Sequence, residues 1–239
     1  MTAVGSLRAV VLDVDETLVA SERHGHRVAF NLAFAHFGLP DRWDDGTYRE
    51  LLRVSGGRPR LVHWFTRHRV EPRAARALAS LVHRRKTEIL AEMATSGDIP
   101  LRPGVADLVA SLHARGTPVH LATTGTREWV EPLLERHFPE RPFGVVVTGS
   151  DVPELKPHPA AYLQVLARTG VPASAVVSVE DSRNGLVAAH AAGLRCAVTV
   201  GDYTDADDVA AADLLVPDAT HLRPRDLEAL VSAPTTGRS

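Results

Sequence analysis

Cysteine is nearly absent from this sequence: Cys196 is the only one in 239 residues. No internal disulfide can form. The apolar run LRCAVTV around it makes it a buried thiol, which points to a reducing, cytoplasmic setting. Long apolar runs are absent too, and the opening MTAVGSLRAVVLDVD meets acids too early for a secretory signal. No membrane association is expected. Neither sign of charge is in excess: the formal net charge is −2, with 23% charged and 44% hydrophobic residues. That is the composition of an ordinary globular chain, and it leaves no electrostatic footprint for nucleic acid or an anionic bilayer. Lysine is the scarcest charged residue. Only Lys86 and Lys156 occur in a chain otherwise stocked with arginine. A lysine kept under that bias marks a place where a guanidinium cannot replace a compact ammonium.

What is present is a repeating pattern. The strand RAVVLDV opens it. Four helical segments follow, HRVAFNLAFAHFGL, TYRELLRV, RPRLVHWFTRH and PRAARALASLVHRRKTEILAEM, each with apolar residues at three- and four-residue steps. From about Ala94 strands and helices alternate: PVHLATT, FGVVVTG, SAVVSVED and RCAVTV are strands, with helices between them, and a shorter unit DADDVAAADLLVP closes the series. Such alternation predicts βαβ units and a doubly wound parallel sheet of the Rossmann-like α/β class. The helical stretch is too long for a loop. It is read as an all-helical cap, residues 22–94, inserted into a core of 1–21 and 95–239. The tail SAPTTGRS is polar and expected to fray.

In doubly wound sheets, ligands collect beyond the carboxyl ends of the strands. Four strand ends carry chemistry here. The first strand runs into Asp13-Val14-Asp15-Glu16-Thr17; residues two apart on an extended backbone point the same way, so Asp13 and Asp15 share a pocket. The fourth core strand ends in Glu180-Asp181. A cluster of these acids repels itself unless a cation joins it, and oxygen ligands beside a phosphate suit Mg2+. Thr123-Thr124-Gly125 ends the second strand before a helix, where hydroxyls and amides suit a phosphoryl group. Lys156, in ELKPHP after the third core strand, neutralises anionic charge. Each motif alone has a plainer reading, as N-cap, turn or surface lysine. A calcium loop of the EF-hand type needs Gly and Glu where Leu18 and His24 stand. Four motifs at successive strand ends speak together for a phosphate and a cation.

The order DVDET, Thr123, Lys156, Glu180-Asp181 resembles the four motifs of the haloacid dehalogenase superfamily, and the helical stretch resembles its cap. SERHGHRVAFN, LLRVSGGRPR, HRRKTEIL, IPLRPGV, EDSRNGLVAAHAAGL and GDYTDADDVAAADLLVPD narrow the likeness to the CbbY-type sugar-phosphate phosphatases, near β-phosphoglucomutase and phosphoglycolate phosphatase. The resemblance implies Asp13 as the nucleophile that becomes an aspartyl-phosphate, and Asp15 as the acid that protonates the leaving alcohol and then activates water. It implies Thr123 and Lys156 as holders of the transferring phosphate, with Mg2+ ligated by Asp13, the Asp15 carbonyl and Asp181 and with Glu180 close by. Dehalogenases lack the second Asp, so Asp15 favours phosphate esters. The substrate implied is a small phosphorylated metabolite, a sugar phosphate or a bisphosphate such as a pentulose bisphosphate, handled by a monomer. A phosphomutase is the alternative enzyme. A phosphate-binding receiver-like module is the alternative outside enzymes, but receivers place the acceptor Asp on a middle strand.

Three positions depart from the family pattern: Glu16 for Gly, His24 for Asp and Leu90 for Tyr. Glu16 is expected to point away from Asp15 and unsettles the local turn. In the cap, Gly56-Gly57-Arg58 begins a helix and is read as a grip on a second phosphate, with Arg60 a weaker version. His26, Arg27 and Lys86 join Thr124 as further substrate contacts. Trp43, Trp64 and Trp129 are left as core or hinge aromatics.

Overall fold

The computed structural model describes residues 6–54, 56–68 and 70–232. The tail beyond Ser232 and Ser55 of the SGGR stretch lie outside the described residues. The chain divides into two compact units. Ser21–Pro100 and Arg127–Pro139 form one, and the remaining described residues form the other.

The latter unit holds a six-stranded sheet. Its strands are β1 (Ala9–Leu12), β2 (Val119–Ala122), β3 (Phe143–Val147), β4 (Val176–Glu180), β5 (Arg195–Thr199) and β6 (Leu214–Val216). They lie in the order β3-β2-β1-β4-β5-β6, and every neighbouring pair is parallel. β1 and β4, reading AVVL and VVSVE, are buried along their whole length, as expected of a parallel sheet covered on both faces. Register does the positioning. Leu12 pairs with Leu121 on one side and Val179 on the other, so Asp13 comes level with the ends of β2 and β4. Val11, Val147, Tyr162, Val165, Leu186 and Val198 are part of the core that packs about the sheet, and Cys196 is fully buried among them. Burial pushes its thiol well above the usual range, consistent with an inert packing role. The closing DADDVAAADLLVP resolves into turns and β6. A further helix, Pro224–Ser232, forms beyond it, with Leu227 buried.

In the other unit, a π-helical turn at Glu22–His26 leads directly into α1 (Arg27–His36), followed by α2 (Asp45–Leu51), α3 (Gly57–Arg67), α4 (Pro72–Ser96) and, after α5 (Val105–Ala114) of the sheet unit, α6 (Arg127–His137). Local chemistry sets these ends. Asp44 caps α2 by accepting from the Thr47 amide at 2.8 Å; Glu71 caps α4 from the Arg73 and Ala74 amides, with Pro72 at its first position; Gly97, at φ 86°, ends it. Gly25 lies close against the side-chain ends of Leu90 and Ile99: a Cβ there would come within 3.0 Å and 2.9 Å of their Cδ1 atoms. Phe30, Phe34, Trp43, Tyr48 and Phe65 form an aromatic core, with the Phe30 and Trp43 rings 4.6 Å apart. Asn31 closes the chain over it by exchanging hydrogen bonds with both backbone groups of Trp43. Trp129 is buried too, and Trp64 donates to Asp41 at 2.7 Å.

Candidate active site

Asp13 sits one residue past β1. It is buried, and its amide donates to the Val179 carbonyl at 3.0 Å, which extends the β1–β4 ladder. Lys156 reaches it from the segment before α7 (Ala160–Thr169). The Lys156 ammonium donates to Asp13 Oδ1 at 2.6 Å, to Glu180 Oε1 at 2.6 Å and to the Ala122 carbonyl at 2.7 Å. Three converging acceptors suit the three N–H bonds of an ammonium and do not suit a flat guanidinium fork. The scarcity of lysine has this physical counterpart: Lys156 and Lys86 are both only 4% exposed.

Charge in this pocket is tightly coupled. Burial pushes the Asp13 carboxyl well above its ordinary range; Lys156 opposes this, while Glu180 and Asp15 add to it. Burial alone lowers Lys156, yet Asp13 and Glu180 outweigh it and hold the ammonium above the usual lysine range. Glu180 is fully buried. Its Oε1 accepts from Lys156 and from the Tyr162 hydroxyl, while its Oε2 has no hydrogen-bond partner among the described residues. Carboxylate oxygens of Asp13, Glu180 and Asp181 lie within 4.8 Å of one another. An oxygen-only donor set, more acids than the one ammonium neutralises, and an orphaned buried carboxylate oxygen together fit a hard divalent cation.

The neighbouring loops complete the pocket. Thr123 is buried after β2, and its hydroxyl oxygen accepts from the Gly125 amide at 2.9 Å, so its own O–H proton is left for another acceptor. Thr124 is half-buried beside it, and the helix expected next opens at Arg127, in the helical unit. Glu16, expected to unsettle the turn after Asp15, instead builds it. It adopts φ 54°, the left-handed region its glycine counterpart would favour, and is 1% exposed. Its carboxylate accepts from the Asp202 amide at 3.3 Å and lies 3.8 Å from Arg102 Nη1. The loop after β5 reaches the other acids as well: Thr204 donates to the Asp181 carbonyl at 2.7 Å.

A second, basic cluster lies within the helical unit. Lys86 on α4 is 2.5 Å from His26 Nδ1, and its ammonium is 5.0 Å from the centre of the Phe30 ring. His83, one turn earlier on α4, is pushed down to about 4, by burial first and then by Lys86, His26, Arg58 and Arg60. Gly57 packs against it: a Cβ there would come within 2.9 Å of His83 Nε2. Arg58 is exposed in the first turn of α3. Arg60 is buried and donates to the Leu51 carbonyl and the Tyr48 hydroxyl, which makes it a brace of the α2–α3 connection. Arg27 pairs with Asp45 at 3.0 Å. His24 is exposed and Leu90 is fully buried against Gly25.

Tyr162, His83 and the bracing role of Glu16 are missed by sequence reasoning. Tyr162 falls on the apolar face of KPHPAAYLQVL, where a hydroxyl leaves no periodic signal.

Comparison with known proteins follows the same lines. The family model of haloacid dehalogenase-like hydrolases matches residues 7–193. Protein CbbY of Rhodobacter capsulatus is 40% identical over 218 residues, 89% of this chain and 93% of that protein. Phosphoglycolate phosphatase of Escherichia coli is 30% identical, covering 94% of each. Among solved structures, a mutant CbbY of Rhodobacter sphaeroides in complex with xylulose-(1,5)bisphosphate superposes with a TM-score of 0.82 at 38% identity, over 93% of this chain and 99% of that one.

Proposed function

Because the chain belongs to the haloacid dehalogenase-like hydrolase family, we propose that it is a Mg2+-dependent phosphatase of small phosphorylated metabolites, foremost sugar bisphosphates of the pentulose type. The observation that carries the reading is the junction at Asp13. A buried carboxylate at a strand end is held 2.6 Å from a buried ammonium, beside two further carboxylates within reach of one cation. The CbbY complex with xylulose-(1,5)bisphosphate supports the substrate class.

Asp13 attacks phosphorus. An oxygen–phosphorus bond to Asp13 forms while the bond to the alcohol oxygen breaks, and Asp15 delivers the proton that the departing oxygen needs. Asp15, now a carboxylate, takes a proton from water; the water oxygen attacks phosphorus, the aspartyl-phosphate bond breaks, and inorganic phosphate leaves. Lys156, Thr123 and Thr124 hold the phosphoryl oxygens through this exchange. Asp13, the Asp15 carbonyl, Glu180 and Asp181 would hold Mg2+, which would supply charge neutralisation on the phosphoryl oxygens. The basic cluster of His26, Arg27, Gly57, Arg58 and Lys86 takes the non-transferring phosphate, the part of a substrate-selecting cap over 22–94. The enzyme works as a cytoplasmic monomer.

The deciding experiment is a screen of phosphorylated sugars with free phosphate as readout. Phosphate should appear from a bisphosphate, stop with EDTA and return with Mg2+. Conversion of one sugar phosphate into its isomer without phosphate release would make the enzyme a mutase. Full turnover in chelated, metal-free protein would remove Mg2+ from the reading.

A further inference from the structure

We infer that Tyr162 is a positioning residue of the cation site: its hydroxyl fixes the rotation of the Glu180 carboxylate, so that Oε1 serves Lys156 and Oε2 is kept for the cation. The inference deepens the proposed function and rests on its assignment of Asp13, Glu180 and Asp181 to Mg2+.

Three observations carry it. The first is an asymmetry in donors. Glu180 Oε1 accepts from both Lys156 and Tyr162, whereas Oε2, also buried, accepts from no described residue. The last torsion of a glutamate is soft and nearly two-fold, so Lys156 alone would take either oxygen. A second donor, rigidly mounted on a ring, removes that freedom. The second observation is the space around the carboxylate. A Cβ on Gly185 of α8 (Arg183–Ala191) would overlap the Glu180 carboxyl group, so glycine there is what lets the carboxylate lie as it does. The third is the setting of Tyr162. It is fully buried among apolar neighbours such as Ala161, Val165 and Leu186, where phenylalanine would pack as well. A buried phenol needs a partner for its O–H, and here the partner is Glu180. Its ring also lies under the Lys156 ammonium, 4.9 Å from centre to nitrogen. Groups that orient a metal ligand in this way affect metal affinity without touching the metal.

The test is Mg2+ binding followed by titration calorimetry and by the Mg2+-dependent rise in unfolding temperature, for wild type, Tyr162→Phe and Gly185→Ala. Tyr162→Phe should bind Mg2+ about tenfold more weakly, while it still unfolds cooperatively in EDTA at a temperature lowered by the loss of one buried hydrogen bond. Gly185→Ala pushes on the same carboxylate from the other side and should also weaken Mg2+. Wild type that binds Mg2+, with Tyr162→Phe binding equally well, overturns the inference and leaves the proposed function standing. Wild type that fails to bind Mg2+ overturns both. If Tyr162→Phe does not fold, Gly185→Ala decides alone, and unchanged affinity there sinks the inference.

Discussion

Lys156 Nζ lies 2.6 Å from Asp13 Oδ1, and the same ammonium also serves Glu180. One cation for two buried carboxylates makes the two partners unequal. Asp13→Asn leaves Lys156 paired with Glu180, so the metal-free protein should lose little stability while turnover disappears. Lys156→Met strands both carboxylates, and breaking a buried pair in that sense costs about 3–5 kcal/mol. Denaturant unfolding in EDTA measures the two, and Mg2+ should recover part of the Lys156→Met loss. An Asp13→Asn variant less stable than Lys156→Met would contradict this charge balance. Retained turnover in Asp13→Asn free of deamidation would end the aspartyl-phosphate reading.

Glu16 holds a left-handed turn at φ 54° while its carboxylate binds the Asp202 amide and faces Arg102. Two substitutions separate strain from contact. Glu16→Ala loses the contacts and keeps the strain. Glu16→Gly loses the same contacts and relieves the strain, so it should be more stable than Glu16→Ala by about 1 kcal/mol. Urea midpoints at equal slope give the difference. Equal midpoints would show that the turn does not depend on the left-handed residue.

The strand-end chemistry was legible because a parallel sheet gathers it by register. An apolar strand that runs into Asp13 can put its acid only at the sheet's carboxyl edge, and Leu12 pairing with Leu121 and Val179 brings the ends of β2 and β4 there. Tyr162 was not legible, because its partner lies 18 residues away on another element. Nor was the π turn at Glu22–His26, since one widened turn leaves the apolar spacing of α1 intact. Glu16 stood out as a departure, but a one-residue pattern cannot say that Arg102 and the Asp202 amide wait for its carboxylate.

His83 makes a prediction about pH. Its folded-state value is pushed from 6.5 down to about 4 by burial first, then by the surrounding cations. Between those values the unfolded chain takes up a proton that the folded chain refuses. Its contribution is therefore complete above about 6.5 and is lost as pH falls toward about 4. The loss is bounded by about 3 kcal/mol, less for a partly exposed ring. His83→Gln cannot titrate, so its stability should fall less steeply over that window than the wild type's. Parallel slopes for the two proteins would show that His83 is protonated in the folded state.

Arg58 bears on the substrate. On the proposed function, Thr123, Lys156 and the cation take the transferring phosphate, and the basic cluster of the helical unit would take a second anion. Gly56, at φ 85°, turns the chain into α3; Gly57 lies against His83; and Arg58 is exposed in the first turn, where helix amides and the dipole favour negative charge. A planar guanidinium can bind two phosphate oxygens together. Losing one such charge-assisted contact costs roughly 1.5–3 kcal/mol, about a ten- to hundredfold drop in kcat/KM. Arg58→Ala should therefore lose that much on a sugar bisphosphate and almost nothing on a small aryl phosphate. Steady-state kinetics on the two substrates measure it. Equal loss on both would make Arg58 a stabiliser of the helical unit, and loss on neither would leave Gly56-Gly57-Arg58 as a turn and remove the main reason for favouring a doubly charged sugar.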